Sequence, residues 1–299
     1  MLDNLAMELS SRKFKFLRNY SPKNQTAIKS GGVADIFAIP SSAEEYICLI
    51  KYLNSYGVPR VVVGGMSNTL LASDLYEGVI ICTRGVNQIG FANDTAFAEC
   101  GASLASVMSA AHRMGLGGSE ALWLIPGTVG GALRGNAGAH GREISDIVES
   151  ADVHLPDGRV RRISAKDMAL GYRDSIFKLD HGIDILSVRL KLDRVSAHDA
   201  LDRRKFFLRE RRLSQPTNLP SLGSVFKRYN GVGAGYYVER AGLKGFSVGD
   251  AAVSEKHAGF VVNLGNARWQ DILNVVETVE RDVFLKFGIT LEREIETIS

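Results

Sequence analysis

Apolar positions along this chain recur at two periods, and the changes between them mark its elements. Tyr46, Ile47, Ile50 and Leu53 repeat at helical spacing behind Ser41, Ser42, Glu44 and Glu45, a capping signature, and Gly57 stops the run. Before it, residues 26–40 alternate around Gly31-Gly32 and end in a strand over 35–39. After it, Arg60-Val61-Val62-Val63 is a β-branched strand that runs into glycine. These pieces form a β-α-β unit with a loop after its second strand. Residues 1–20 read as a short amphipathic helix ending in a Lys/Arg-rich turn. Strands follow over 79–82 and 96–100. Ser103 heads a helix with Leu104, Val107, Met108 and Ala111 on its apolar face, which Gly115 to Gly118 end. Residues 148–155 and 160–163 flank Pro156-Asp157-Gly158 as a hairpin, and 185–192 is a further strand. Strands therefore dominate the middle. The last helix, over 268–287, carries Trp269, Ile272, Val276, Val279 and Val283 on one face. Near the C-terminus Leu291, Arg293 and Ile295 alternate with Glu292, Glu294 and Glu296, which normally leaves the carboxylates exposed.

The pattern changes at Ser196. Residues 197–214 form a charged helix with Arg203, Arg204, Lys205, Arg209, Arg211 and Arg212, either a solvated linker or a basic face for a diphosphate. Gln215 to Pro220 is a rigid connector, and a compact α+β segment follows. The 299 residues suit two or three modest lobes. Hydrophobic content of 45% and charge of 23% belong to a soluble globular chain. A net charge of +3 gives no electrostatic case for nucleic acid. Three cysteines without metal spacing, Cys48, Cys82 and Cys100, fit small buried thiols in a reducing cytosol. No apolar run is long enough for a membrane span, and Asp3, Glu8 and Arg12 interrupt any signal-peptide core. A cytoplasmic protein is expected.

Glycine supplies the candidate chemistry. The stretch 125–141, Ile-Pro-Gly-Thr-Val-Gly-Gly-Ala-Leu-Arg-Gly-Asn-Ala-Gly-Ala-His-Gly, holds Gly127, Gly130, Gly131, Gly135, Gly138 and Gly141. Such density predicts a loop whose backbone wraps a large, flat, phosphorylated ligand. Pro126 fixes a turn, Ile125 offers an apolar wall, and Thr128 and Asn136 offer hydrogen bonds to a ring edge or phosphates. A second loop, Gly64-Gly65-Met66-Ser67-Asn68-Thr69, follows a strand and reads as an anion nest or an ordinary tight turn. Neither a Rossmann fingerprint nor a phosphate-binding Gly-Lys-Ser/Thr loop occurs. Two glycine loops suggest the two ends of one dinucleotide.

Other segments are ambiguous alone. Arg173, between Tyr172 and Ile176-Phe177, is either a core ion pair or a cation facing a developing oxyanion. Gly223 exposes Ser224, but no hydrolase triad or elbow surrounds it. Ser254-Glu255-Lys256-His257 is either a ligand-lining loop or a solvated turn.

Together these motifs resemble the UDP-N-acetylenolpyruvoylglucosamine reductases, also called UDP-N-acetylmuramate dehydrogenases. The resemblance runs in order from about Thr26 to Ile298 through six motifs: Gly64 to Thr69, Ile125 to Gly141, Gly171 to Phe177, Gly223 to Lys227, Ala241 to Gly245, and Val253 to Asn263. It is nearest the shorter family form without an insertion in the substrate domain. It implies an α+β fold: a two-lobed FAD-binding region of the vanillyl-alcohol oxidase type over 1–195, with lobes of about 1–82 and 83–195, then a smaller α+β substrate-binding domain over 196–299. In some flavoproteins of that type a histidine holds FAD covalently. Lys29-Ser30-Gly31-Gly32 offers none, so non-covalent FAD is expected.

The implied reaction uses NADPH, through FAD, to reduce the enolpyruvyl group of UDP-N-acetylglucosamine enolpyruvate to UDP-N-acetylmuramate in peptidoglycan precursor synthesis. The resemblance makes Arg173 and Glu294 stabilisers of the enolic intermediate and Ser224 its proton donor. Glu294 would have to be protonated to help. It implies cofactor contacts from Gly64, Gly65, Met66, Ser67, Asn68, Thr69, Ile125, Pro126, Gly127, Thr128, Gly130, Gly131, Asn136, Gly138 and Ala139. Substrate contacts would come from Tyr172, Lys227, Arg228 and His257. A monomer is implied, with no nucleic-acid or membrane partner. Four positions depart from the family pattern: Met66 for glycine, His140 for tyrosine, Tyr229-Asn230 where proline is common, and Arg293 for proline. The rivals are another flavoprotein of the same FAD fold and a nucleotide-binding protein without catalysis.

Overall fold

A computed structural model describes residues 1–299. The chain folds as two compact units, neither continuous in sequence. The first comprises 1–18, 36–65 and 78–209; the second comprises 19–35, 66–77 and 210–299. This partition differs from the expected division at residue 195, because two early segments join the C-terminal unit and most of the charged helix Ala197–Ser214 stays with the first.

The first unit is built on two sheets. One has the strand order Phe16–Tyr20, Val33–Ala38, Leu75–Cys82, Arg60–Val63, with the last two parallel. The strand Phe16–Tyr20 is a correction. The N-terminal helix is only Leu2–Ser11, and the expected basic turn leads into an edge strand with half-buried and exposed positions alternating. The helix Ala43–Tyr56 connects Val33–Ala38 to Arg60–Val63 as expected. Ser42 Oγ accepts from Glu45 N, and Gly57 closes it at φ +68°. Its face of Tyr46, Leu49, Ile50 and Leu53 is fully buried.

The second sheet is antiparallel, in the order Val160–Ser164, Val148–His154, Asp184–Lys191, Thr95–Glu99, Ile89–Ala92. The helix Leu104–Arg113, capped by Ser103, packs beside it. Arg60 reaches Asp184 with both guanidinium nitrogens, at 3.0 and 2.9 Å, tying strands of the two sheets. Cys82 and Cys100 are buried, but Cys48 is exposed on the outer face of its helix, correcting the expectation of three buried thiols. Burial pushes the Cys100 thiol up to about 12, so it is an inert packing group.

The second unit has its own core. Its sheet runs Ser221–Ser224, Phe260–Asn263, Ala251–Val253, Ser247–Val248, all antiparallel. Against it lies Trp269–Phe287, which buries Ile272, Val275, Val276, Val279 and Val283. At about 1.5–3 kcal/mol for each fully buried aliphatic side chain, this face alone holds the helix in place. The early segments belong to this core. Ile28 and Leu70 are fully buried in it, Asn263 Nδ2 donates to Ile28 O at 3.0 Å, and Ser30 Oγ donates to Ala267 O at 2.7 Å. Thr69–Leu71 pairs in parallel with Glu296–Ile298. No helix is long and apolar enough to cross a membrane.

Candidate active site

In the first unit the strand Arg60–Val63 ends by delivering Gly64 and Gly65 against residues 127 and 128. A Cβ on Gly64 would lie 2.2 Å from Thr128 Oγ1, and one on Gly65 would lie 2.8 Å from Gly127 Cα. Two glycine segments far apart in sequence thus touch, and any side chain on either would part them. Arg84 Nη2 donates to Gly65 O at 2.6 Å, and Leu104 N donates to Gly127 O at 3.1 Å. Ile125 stays half-buried while Pro126 and Gly131 are exposed, leaving backbone accessible along the seam.

The stretch 125–141 is not one loop, which corrects the expectation. Val129–Arg134 is a short helix, with Thr128 Oγ1 accepting from Gly131 N at 3.2 Å as its cap. Gly130 is there for packing: its Cβ would sit 2.8 Å from Cys100 Cβ and 2.9 Å from Cys100 O. Asn136, at φ +38° and 1% exposed, is also committed to the protein. Its Nδ2 donates to Glu143 Oε2 at 3.0 Å and to Gly171 O at 2.8 Å, and its Oδ1 accepts from Ser145 N at 3.1 Å. Both amide donors expected to serve a ring edge or phosphate are used to hold the segment's shape.

Gly138–Ala139 and Arg142–Glu143 then form a small hairpin, with Glu143 opposite Gly138. Its two turn residues, His140 and Gly141, have φ +52° and +77°, the double-positive geometry of a tight hairpin turn. His140, the position where tyrosine is usual, packs its ring on Phe207 at 4.8 Å.

Arg173 sits at φ +57° in a second tight turn, closed by paired backbone bonds between Gly171 and Asp174. Its Nη2 donates to Gly138 O at 2.9 Å. Its Nη1 donates to Asn136 O and pairs with Glu143 Oε1, both at 3.3 Å. The guanidinium also lies 5.1 Å from the ring centroid of Tyr172, which is exposed. Arg173 is thus ion-paired to Glu143 and fixed at the rim of the glycine segment. Glu143 lay outside the expected set. Nothing local marks it, since its role arises only when the hairpin turns it back over Gly138.

The second unit holds the rest of the first glycine motif. Met66 takes φ +49°, the left-handed conformation a glycine would favour, and buries its side chain to 3% exposure. Asn68 Nδ2 donates to Glu294 O at 2.8 Å and Asn68 O accepts from Glu296 N at 2.9 Å, while Thr69 opens the strand paired to the C-terminus. Ser67 is half-buried beside them.

Ser224 ends its strand after Gly223, which has φ +79°, and its Oγ donates to Phe226 O at 3.3 Å. Glu294 N donates to Val225 O at 2.8 Å, and Lys227 N to Glu292 O at 2.8 Å, so the segments carrying Ser224 and Glu294 run side by side. Lys227 Nζ lies 2.5 Å from Glu292 Oε1. Arg228 is exposed, and Tyr229 and Val232 close a turn over Asn230 and Gly231 at φ +47° and +80°, accounting for the absence of proline. Arg293 pairs with Glu280 of the long helix at 2.6 and 2.7 Å. His257 closes its own loop, its Nδ1 accepting from Gly259 N at 3.1 Å, and burial holds its imidazole below the usual range. A separate open recess of about 700 Å³, lined by Arg212, Asn218, Ser254 and Lys256 among others, contains neither Ser224 nor Glu294.

The small-residue seam fits a flat, phosphate-bearing cofactor. The FAD binding domain family matches residues 34–164, spanning both glycine motifs, and the UDP-N-acetylenolpyruvoylglucosamine reductase C-terminal domain family matches 215–298, spanning Ser224 and Glu294. A reductase of that name from Clostridium tetani is 38% identical over 98% of this chain and 95% of its own. One from Caldanaerobacter subterraneus is 37% identical over 95% and 94%. The chain belongs to the UDP-N-acetylenolpyruvoylglucosamine reductase family. The crystal structure of the family's enzyme from Thermus caldophilus, at 30% identity, covers 96% of this chain and 99% of its own with a TM-score of 0.80. As a member, the chain is an FAD-dependent oxidoreductase with the expected α+β fold and an FAD-binding region. The departures at Met66, His140, Tyr229-Asn230 and Arg293 are each absorbed locally.

Proposed function

We propose that this chain reduces the enolpyruvyl group of UDP-N-acetylglucosamine enolpyruvate to UDP-N-acetylmuramate, with NADPH as electron source, in peptidoglycan precursor synthesis. The observation that carries the reading is the side-by-side placement of Ser224 and Glu294, whose backbones meet through Val225 O. FAD, bound non-covalently along the seam formed by Gly64, Gly65, Gly127 and Thr128, supplies the hydride chemistry. Residues 1–195 serve the flavin and 196–299 the substrate. The protein acts in the cytoplasm as a monomer, supporting cell shape and division.

The residues then have distinct tasks. Hydride addition at the methylene carbon leaves carbanion character next to a carboxylate, and the fixed guanidinium of Arg173 stabilises that charge where it develops. Its planar fork, already held by Asn136 O and Gly138 O, needs no reorganisation. Ser224 Oγ turns from Phe226 O to give its proton to the carbanion, and positioned proton transfer contributes roughly 10²–10⁴-fold. Glu294 joins Arg173 in stabilising the enolic form. Tyr172, Lys227, Arg228 and His257 bind the remainder of the substrate. Lys227 must exchange Glu292, which is mostly exposed, for a diphosphate oxygen. The test is Ser224→Ala. Its flavin should still be bleached by NADPH, and addition of the enolpyruvyl substrate should then fail to restore the colour. Normal turnover by this variant removes Ser224 from the mechanism.

A further inference from the structure

We infer that Glu143 is a positioning residue for Arg173: it holds the guanidinium in register with the glycine hairpin so that the charge meets the developing enolate. The inference rests on the reaction proposed above and deepens it.

Three observations carry it. First, Glu143 divides its two oxygens. Oε1 pairs with Arg173 Nη1 at 3.3 Å, and Oε2 accepts from Asn136 Nδ2 at 3.0 Å. The same carboxylate therefore ties the cation to the segment whose carbonyls, Asn136 O and Gly138 O, hold its remaining edge. Second, the hairpin is shaped to admit this pair. Glu143 stands opposite Gly138, and a Cβ on Gly138 would lie 2.7 Å from Glu143 Cγ and 3.2 Å from Arg173 Nη1. Gly138 makes room for the pair and for the hairpin backbone alike, since the same Cβ would lie 2.7 Å from Arg142 O. Third, Arg173 hangs from a turn at φ +57°, outside any helix or regular strand. Its own element does not fix its side chain, so the fixing falls to the groups around it.

Carbonyl acceptors alone would leave the guanidinium free to pivot within the plane of its fork. The carboxylate adds a charge-assisted bond, the stronger kind, at one defined nitrogen. The side chains of both partners are mostly shielded, at 18% and 33% exposure, so water screens the pair only in part. Misplacement of a reacting charge by about 1 Å costs on the order of 10²-fold in rate.

The experiment compares the holoenzyme with Glu143→Gln, which keeps the shape. An amide can offer only one oxygen, so it must turn a donor toward either Asn136 Nδ2 or Arg173 Nη1. Flavin content, thermal midpoint, flavin reduction by NADPH and flavin reoxidation by the enolpyruvyl substrate are measured separately. The expected result is reoxidation slowed roughly 10- to 100-fold, with NADPH reduction and flavin content within about twofold of the parent. Glu143→Asp, which restores the charge at shorter reach, should recover part of the loss. Reoxidation at the parent rate overturns the inference. Equal loss in both half-reactions, or loss of flavin, also overturns it, because Glu143 then only builds the hairpin. Failure of the parent protein itself to reoxidise with this substrate instead removes the proposed reaction.

Discussion

Arg173, Met66, Asn136 and His140, all within the motif segments, take a left-handed backbone that non-glycine residues adopt sparingly. Strain of about 1–3 kcal/mol per residue persists only where surroundings over-determine it, as the buried side chains of Met66 and Asn136 show. Asp152 shows a different kind of fixing, away from the site. Burial raises its carboxyl, but hydrogen bonds from Arg162, Arg189 and Ser187 outweigh that and hold it below its usual range. A depressed carboxyl stabilises the fold above its unfolded pKa, and that contribution disappears as pH falls through the folded value. Asp152→Asn should therefore lose roughly 1–2 kcal/mol at neutral pH, a gap that narrows below about pH 4. Denaturant midpoints across that range measure it, and a gap independent of pH contradicts the assignment. At this scale Arg173, Ser224 and Glu294 stood out in the sequence only through motifs. Glu143 was invisible, because its meaning depends on two positive-φ residues, His140 and Gly141, folding it back on Gly138.

Elements with strong ends were legible. Ser42, Ser103 and Gly57 cap or stop two helices whose apolar faces were readable from spacing alone. The helix Val129–Arg134 was hidden because Gly130 and Gly131 disfavour helix intrinsically, by about 1 kcal/mol each relative to alanine. Tertiary packing overrides that preference, and the two glycines differ in why they are tolerated. Alanine at Gly130 gains helix propensity but meets Cys100 Cβ at 2.8 Å and backbone at 2.9 Å, an overpacking cost of about 1–3 kcal/mol. Overpacking wins, so Gly130→Ala should destabilise. Gly131 is exposed, and its nearest neighbour, Thr128 Oγ1, is 3.4 Å away. Gly131→Ala should stabilise the flavin-free protein by roughly 0.5–1 kcal/mol. Urea titration of both variants decides it, and effects of the same sign refute the packing account. The strand Phe16–Tyr20 was missed for a simpler reason: Phe16-Leu17-Arg18-Asn19-Tyr20 has no clean alternation to read.

Each of the two units owns a separate apolar core, yet the chain passes between them five times before the last two helices begin. A ligand that binds only folded protein stabilises it by mass action, about 2.7 kcal/mol at a hundredfold excess over its dissociation constant. Stripping the flavin should lower the thermal midpoint, and added FAD should restore it in a dose-dependent way. A midpoint indifferent to FAD contradicts the glycine seam as its site. Domain organisation was the least legible level in the sequence, because membership of 19–35 and 66–77 is decided by partners such as Asn263 and Ile298. The parallel pairing of Thr69–Leu71 with Glu296–Ile298 also sets a schedule for biosynthesis. Leu70 and Leu71, wholly buried in the finished protein, are translated about 230 residues before their partner strand. At about 5–20 residues per second, that wait lasts on the order of 10–40 s. During it the nascent chain carries an apolar edge without its partner strand.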